Sequence, residues 1–400
     1  MTTPQTNAPA PPAPAGAPQL NFMAVLQRML SASDKVSDLI FSPGRPPQVE
    51  LLGELKGVPV AGLEKLLPAH TASLARLIVT GHPTAAENLE KFGSADLSFS
   101  APGLSRFRVN IFKQRGTHAI VMRVIPPHPP QWGDFNLPEV LKEIAGLKNG
   151  LVLVTGPTGS GKSTTLAAVI DLINESKAYH IVTIEDPIEF LHPHKKATIH
   201  QRELHADTPS FALALRAALR QAPKVILVGE MRDRETIEVA LEAAETGHLV
   251  LSTLHTIDAS KTVDRIIGVF PKNEEQAIRT RLAQSFRFIV SQRLIPRSDG
   301  RGRMAVIEIL KSTARTRDYM EKGEHEGRSL LDAMDQGELE GMQTFDGVIE
   351  KMIRAGLLNR DEALPYASNP GNLLLRISDM GGAAPPAQRP AGGSMLDVIE

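Results

Sequence analysis

The chain has 400 residues, 42% of them hydrophobic, a formal net charge of −1 and no cysteine. That is material for about two to three domains at ~150 residues each, and it excludes disulfides, thiolate zinc sites and cysteine nucleophiles. The near-neutral balance gives no support to a nucleic-acid-binding face, and no apolar run approaches the ~18 residues of a membrane span.

Residues 1–19 are nearly all Ala, Pro, Thr, Gln and Gly; such a segment buries too little apolar surface to offset ordering and is expected to be a disordered tail. It has neither the basic start nor the apolar stretch of a secretory signal, so a cytoplasmic location is expected. From Leu20 to Leu30 apolar residues recur at helical spacing. Asp38–Phe41 and Gln48–Leu52 read as short strands on either side of a Pro-Gly turn. Helical patterns at Leu63–Leu67, Thr71–Thr80 and Glu87–Lys91 precede three alternating segments, Ala95–Ser100, Ser105–Phe112 and Thr117–Ile125, which predict antiparallel strands. With a period of two, Phe107, Val109 and Ile111 face a core and Arg106, Arg108 and Asn110 the other side. Residues 20–125 thus form an α+β module, and the prolines of 126–136 predict a stiff linker after it.

After a helix expected at Leu137–Gly146 the rhythm changes. Strands at Leu151–Thr155, His180–Ile184, Val225–Gly229, Leu249–Thr253 and Phe288–Gln292 alternate with helices, and Met304–Leu310 reads as a strand near an edge. That alternation predicts an α/β fold, a mostly parallel sheet with helices on both faces, across 137–310. Ligands of such sheets sit beyond the carboxyl ends of the strands. Residues 311–377 read as a helical subdomain, with Leu373–Ile377 as a packing or docking segment, and 378–400 as a second disordered tail.

Chemistry concentrates at those strand ends. Gly156, Pro157, Thr158, Gly159, Ser160, Gly161, Lys162, Ser163 and Thr164 follow an apolar strand and open a helix, which is the phosphate-cradling G-x-x-x-x-G-K-[ST] loop in its proper setting. Glycines let the backbone wrap phosphate oxygens, and the N–H groups of a helix start favour an anion. Lys162 is expected to reach the β- and γ-phosphates of ATP, and Ser163 to ligate Mg²⁺. Glu185, Asp186 and Glu189 come just after the next strand, where acids hold Mg²⁺ through water or polarise an attacking water. Glu230 comes just past the strand Val225–Gly229 and completes the metal site in proteins with such loops. His248 and His255 bracket one strand; at ~3.3 Å per residue they cannot share a metal. His255, at the carboxyl end, is a candidate for touching the γ-phosphate or the water, while His248 suits a structural role or a subunit contact.

Four boxes in this order, GPTGSGKST, TIEDPIEF, VILVGEMRD and GHLVLSTLHT, resemble the type IV pilus retraction ATPases, the twitching-motility PilT/PilU family within the secretion ATPase superfamily. The resemblance spans about Phe22 to Leu375 and includes Ser37-Asp38-Leu39 and Ser105–Asn110. It implies a RecA-like P-loop ATPase domain behind a PAS-like domain, a homohexameric ring and Mg²⁺-dependent hydrolysis of ATP. In such a ring Arg106, Arg108 and Arg123 would serve as trans-acting cations on a neighbour's triphosphate; the residues alone read as the polar face of a strand. Glu189 or Glu230 would orient or deprotonate the water. The implied partners are an inner-membrane platform protein, through it the pilin filament, and a paralogous retraction ATPase. The implied location is the cytoplasmic face of the inner membrane at the pilus base. The chain departs from the family at Arg315–Lys322, where only Arg317 matches the retraction signature, and at Arg220–Lys224, which is closer to the accessory PilU branch. The alternatives are therefore an accessory ring subunit, or a pilus-extension or type II secretion ATPase, a branch that usually carries a cysteine-held zinc insertion.

Overall fold

A computed structural model describes residues 21–378. The tail expected at 1–19 lies outside the described residues, as does the one at 378–400 apart from Ser378. The chain divides after Val124 into two compact units.

In the first unit, helix α1 (Phe22–Leu30) is followed by strands β1 (Val36–Phe41), β2 (Gln48–Leu51) and β3 (Glu54–Gly57). Helices α2 (Pro68–Val79) and α3 (Pro83–Phe92) come next, then strands β4 (Ser94–Ala101), β5 (Ser105–Gln114) and β6 (Thr117–Ile125). The six strands form one sheet in the order β3-β2-β1-β6-β5-β4. Phe107, Val109 and Ile111 of β5 are fully buried among Phe22, Leu26, Phe41 and Leu74, as the alternation predicts. One strand is added and one local reading is corrected. Leu52 and Gly53 turn the chain, and Glu54–Gly57 pairs with β2 as β3, a strand the sequence reading did not include. Leu63–Leu67 is not a helix: Leu63 and Leu66 are buried from a loop, and the helix begins at Pro68, whose missing N–H costs nothing in a first turn.

In the second unit the region 126–136 is not free-running chain, since Trp132 and Phe135 pack against the core of the large sheet. The expected helix at 137–146 is a 3-10 helix, Glu139–Gly146. The sheet begins with β7 (Gly150–Thr155), which leads into α4 (Lys162–Ser176). Next come β8 (His180–Glu185), β9 (Thr198–Glu203), α5 (Phe211–Ala218), β10 (Val225–Val228), α6 (Arg234–Glu245), β11 (Leu249–Leu254) and α7 (Ala259–Ile267). Helix α8 (Glu275–Ser285), β12 (Phe286–Pro296) and β13 (Arg303–Lys311) complete it.

The strand order is β13-β12-β7-β11-β10-β8-β9. All neighbours are parallel except β12 and β13. Burial on both faces explains the near-continuous apolar runs. Leu151 and Leu153 of β7 enter one core with α5 to α8, and Val152 and Val154 the other with α4. The strand β9 has no counterpart in the sequence reading. Its segment Thr-Ile-His-Gln-Arg-Glu carries a single buried apolar residue, Ile199, because it lies at the sheet edge.

The last helices are α9 (Ala314–Lys322), α10 (Leu330–Asp335), α11 (Phe345–Arg354), α12 (Arg360–Ala363) and α13 (Pro370–Arg376). They share cores with the sheet: Met320 and Met334 join one sheet face, while Phe345, Ile349 and Leu373 close over Ile295 and Val306. Leu373 and Ile377 are buried, so that segment packs. Among the described residues no helix is long and apolar enough to cross a membrane.

Candidate active site

The buried strand β7 delivers the glycine-rich loop at its carboxyl end. Gly156 has φ +147°, and a Cβ there would lie 2.4 Å from the Gln292 carbonyl oxygen and 2.5 Å from Ser160 Oγ. Gly161, at φ +87°, is the N-cap of α4, and a Cβ there would meet Gln292 Nε2 at 2.7 Å. The loop is therefore pressed against β12, and Thr165 Oγ1 fixes Gln292 by donating to its Oε1 at 2.8 Å. No side chain caps α4, which leaves its first-turn N–H groups to an anion. Lys162 is buried, and its Nζ donates to the carbonyl oxygens of Gly156 and Pro157, both at 3.0 Å. Burial lowers its pKa, while the carboxylates of Glu230 and Glu189 act on it in the opposite sense. A buried ammonium, an uncapped helix start and two loop glycines without room for a Cβ suit a polyphosphate chain.

Strand β8 ends at Glu185. Its Oε1 accepts from Thr183 Oγ1 at 2.6 Å and from Gln201 Nε2 at 3.0 Å. Burial raises its pKa despite these two bonds. Gln201, on β9, also donates to the Phe190 carbonyl at 2.9 Å and accepts the His192 N–H at 2.9 Å. Glu203 next to it on β9 accepts the Ile188 N–H at 3.1 Å. The acidic turn after β8 is thus braced by an edge strand. Asp186 and Glu189 are exposed on this turn.

Glu230 stands two residues beyond β10, largely buried, with Arg232 Nη2 at 2.7 Å and His255 Nε2 at 3.5 Å. Its bond to Arg232 raises the pKa of that guanidinium, and Asp186 contributes in the same direction. Beyond the backbone pairing, two hydroxyls tie β11 to β10 near this contact: Ser252 donates to the Val228 carbonyl at 2.7 Å and Thr253 to that of Gly229 at 2.6 Å. The ring of His248, before β11 at its other end, bonds locally, with Nδ1 3.0 Å from the Ala243 oxygen.

A cavity of about 360 Å³ adjoins the loop, lined among others by Pro157, Thr158, Ile257, Arg293 and Tyr366. Arg293 stacks over Phe345 at 3.7 Å and donates to the carbonyls of Tyr366 and Ile257. In the first unit, Arg106 donates to Ser100 Oγ at 3.1 Å, Arg108 is exposed, and Arg123 pairs with Asp38 at 3.1 Å.

The structure thus brings Lys162, Glu189, Glu230 and His255 into one electrostatic neighbourhood. Sequence reasoning missed Arg232, Gln201 and Gln292. Arg232 lies inside a quoted motif, two residues from Glu230, so spacing alone pointed to it. The two glutamines act across the sheet and leave no local signal.

The family model "Type II/IV secretion system protein" matches residues 104–350. The type IV pilus retraction ATPase PilT of Pseudomonas aeruginosa is 43% identical over 342 residues, which cover 86% of this chain and 97% of that one. The type IV pilus ATPase PilU of the same organism is 40% identical, covering 90% and 91%. Among solved structures, the pilus retraction motor PilT with bound ADP has a TM-score of 0.78 at 40% identity, covering 88% of this chain and 99% of the other.

Proposed function

Because this chain belongs to the type II/IV secretion system proteins, and within them to the PilT-like pilus retraction ATPases, we propose that it hydrolyses ATP to drive withdrawal of a type IV pilus. The observation that carries this reading is Lys162, buried on a glycine loop and facing the charges of Glu230 and Glu189. The loop from Gly156 to Thr164 would hold the phosphates through its backbone N–H groups, and Lys162 would neutralise the β- and γ-oxygens. The cavity beside Arg293 would take the nucleoside. Mg²⁺, when bound, supplies charge neutralisation on the phosphates, and Ser163, Glu230 and Asp186 are the residues suited to hold it, mostly through water.

Glu230 and Glu189 are the candidates to orient or deprotonate the attacking water. His255 would hydrogen-bond the water or the γ-phosphate while its other neighbour, Glu230, fixes the ring. Glu185, with its raised pKa, would complete the acidic wall of the site. Arg232 would hold the orientation of Glu230 through its contact with Oε2, since a carboxylate can accept at both of its oxygens.

The wider proposal is a homohexamer in which Arg106, Arg108 and Arg123 reach a neighbouring copy's triphosphate, since a fork-shaped, permanently charged group pairs two phosphate oxygens. It includes an N-terminal module at 20–125, a linker at 126–136, an ATPase core at 137–310 and a helical part at 311–377. It also includes docking on an inner-membrane platform protein on the cytoplasmic side, an indirect action on the pilin filament and His248 as a structural or subunit-contact residue.

The 40% identity to PilU and the segment Arg220–Lys224 support a second reading, an accessory ring subunit beside a paralogous motor. A deletion strain separates the readings. Pili that are made but not withdrawn support the primary motor, near-normal withdrawal supports the accessory subunit, and loss of pili overturns both in favour of an extension ATPase.

A further inference from the structure

Glu308 lies on β13 and is 1% exposed, yet the chemistry above makes no use of it. Its Oε1 accepts the N–H of Ala259 at 2.9 Å. Ala259 is the first residue of α7, so its N–H has no acceptor within the helix, and Asp258 Oδ1 already serves the N–H of Lys261 at 2.7 Å. Four residues before Ala259 stands His255. Two residues before Ala259, Arg293 Nη2 donates to the Ile257 carbonyl at 3.3 Å. Side chains of β12 and β13 therefore hold the segment after His255 at two points, Ile257 and Ala259.

Hydroxyls continue the hold towards the phosphate loop. Thr256 Oγ1 lies 2.6 Å from Thr262 Oγ1, which is 3.5 Å from Thr155 Oγ1. Thr155, one residue before Gly156, donates to Ser291 Oγ at 3.0 Å, and Ser291 bonds Glu308, its register partner. The charged groups acting on Glu308 are Asp258, which raises its pKa, and Arg293, which lowers it; burial dominates and pushes it up to about 7. An acid this deep is an expensive acceptor for one N–H and one hydroxyl, and packing alone would favour an apolar side chain at this place.

We propose that Glu308 is a positioning residue for His255: by fastening Ala259 to the sheet it sets how the segment 255–258 presents the imidazole to Glu230. This rests on the reading of His255 as a group of the reaction. Its hold is the oxygen acceptor, so a glutamine suffices and an apolar residue of similar length does not.

The test compares steady-state ATP hydrolysis by the full chain and by its Glu308→Met, Glu308→Gln, His255→Ala and Glu308→Met/His255→Ala variants. Glu308→Met is expected to lower kcat roughly tenfold to a hundredfold with KM for ATP unchanged, and Glu308→Gln to restore it to within about threefold. The double variant is expected to be no slower than His255→Ala alone, because residues acting through one another are non-additive. Losses that multiply, or a Glu308→Met chain as fast as the parent, overturn the proposal. A His255→Ala chain at full speed instead overturns the reading of His255. Should the methionine chain not fold, hydrogen exchange of the parent decides: an Ala259 amide protected like those of β11 supports the hold, and one exchanging at the rate of a free amide contradicts it.

Discussion

The phosphate loop and the acidic strand ends beside it are built in different ways. The loop is made by nine consecutive residues, Gly156 to Thr164, whose backbone is proposed to supply the binding groups and whose lysine folds back on the loop's own carbonyls. The acidic side is assembled from distant strands. Glu185 is held by Gln201, sixteen residues on; Glu230 meets His255 where β10 pairs with β11, a junction to which Ser252 and Thr253 add their hydroxyl bonds. On the proposed reading a local device binds and a long-range device places the chemistry, so the two should fail differently.

The largest effect is expected at Lys162. Lys162→Ala removes the only side-chain cation of the loop and should lower phosphate release on the order of a hundredfold to a thousandfold, measured in a steady-state ATPase assay. Gly156→Ala should break the loop through folding, because its Cβ has a backbone oxygen 2.4 Å away. A loss of about 1–3 kcal/mol in urea unfolding is expected. An alanine chain as stable as the parent would mean that the loop is not pressed on β12.

Gln201→Ala tests the long-range side. It leaves the loop untouched and removes the bonds to Glu185, the Phe190 carbonyl and the His192 N–H, at a cost of about 1–3 kcal/mol. It should lower kcat severalfold with KM for ATP unchanged. An effect on KM alone would erase the contrast between the two sides.

The smallest effect concerns stability against pH. Glu308 has its pKa raised by burial to about 7 from 4.5. The folded chain therefore binds the more protons between those values, and stability from this group is full below pH 4.5 and lost as pH rises through 7. Glu308→Gln, which has no such proton to lose, should close that gap. From pH 5 to 8 its unfolding free energy should fall less than the parent's, by on the order of 1–3 kcal/mol. Parallel curves would contradict the burial argument.

The same contrast explains what the sequence disclosed. The doubly covered sheet, the alternation of β5 and the position of Glu230 follow from patterns within a few residues, and they were legible. Strand β9 was not, because an edge strand with one buried apolar side chain has no periodic signal. Gln201, Gln292 and Glu308 were hidden for a related reason: each acts on a partner brought close only by strand pairing. The loop at 63–67 misled because Leu63 and Leu66 sit at helical spacing, yet both reach the core from a segment that ends at Pro68.

On the proposed mechanism, ATP bound at the loop is cleaved by groups on the neighbouring strand ends. Glu230→Gln probes this step, with binding of a fluorescent ATP analogue and phosphate release measured on the same preparation. Binding within about twofold of the parent and turnover lower by on the order of a hundredfold or more are expected. A glutamine chain that binds and turns over ATP like the parent would contradict it.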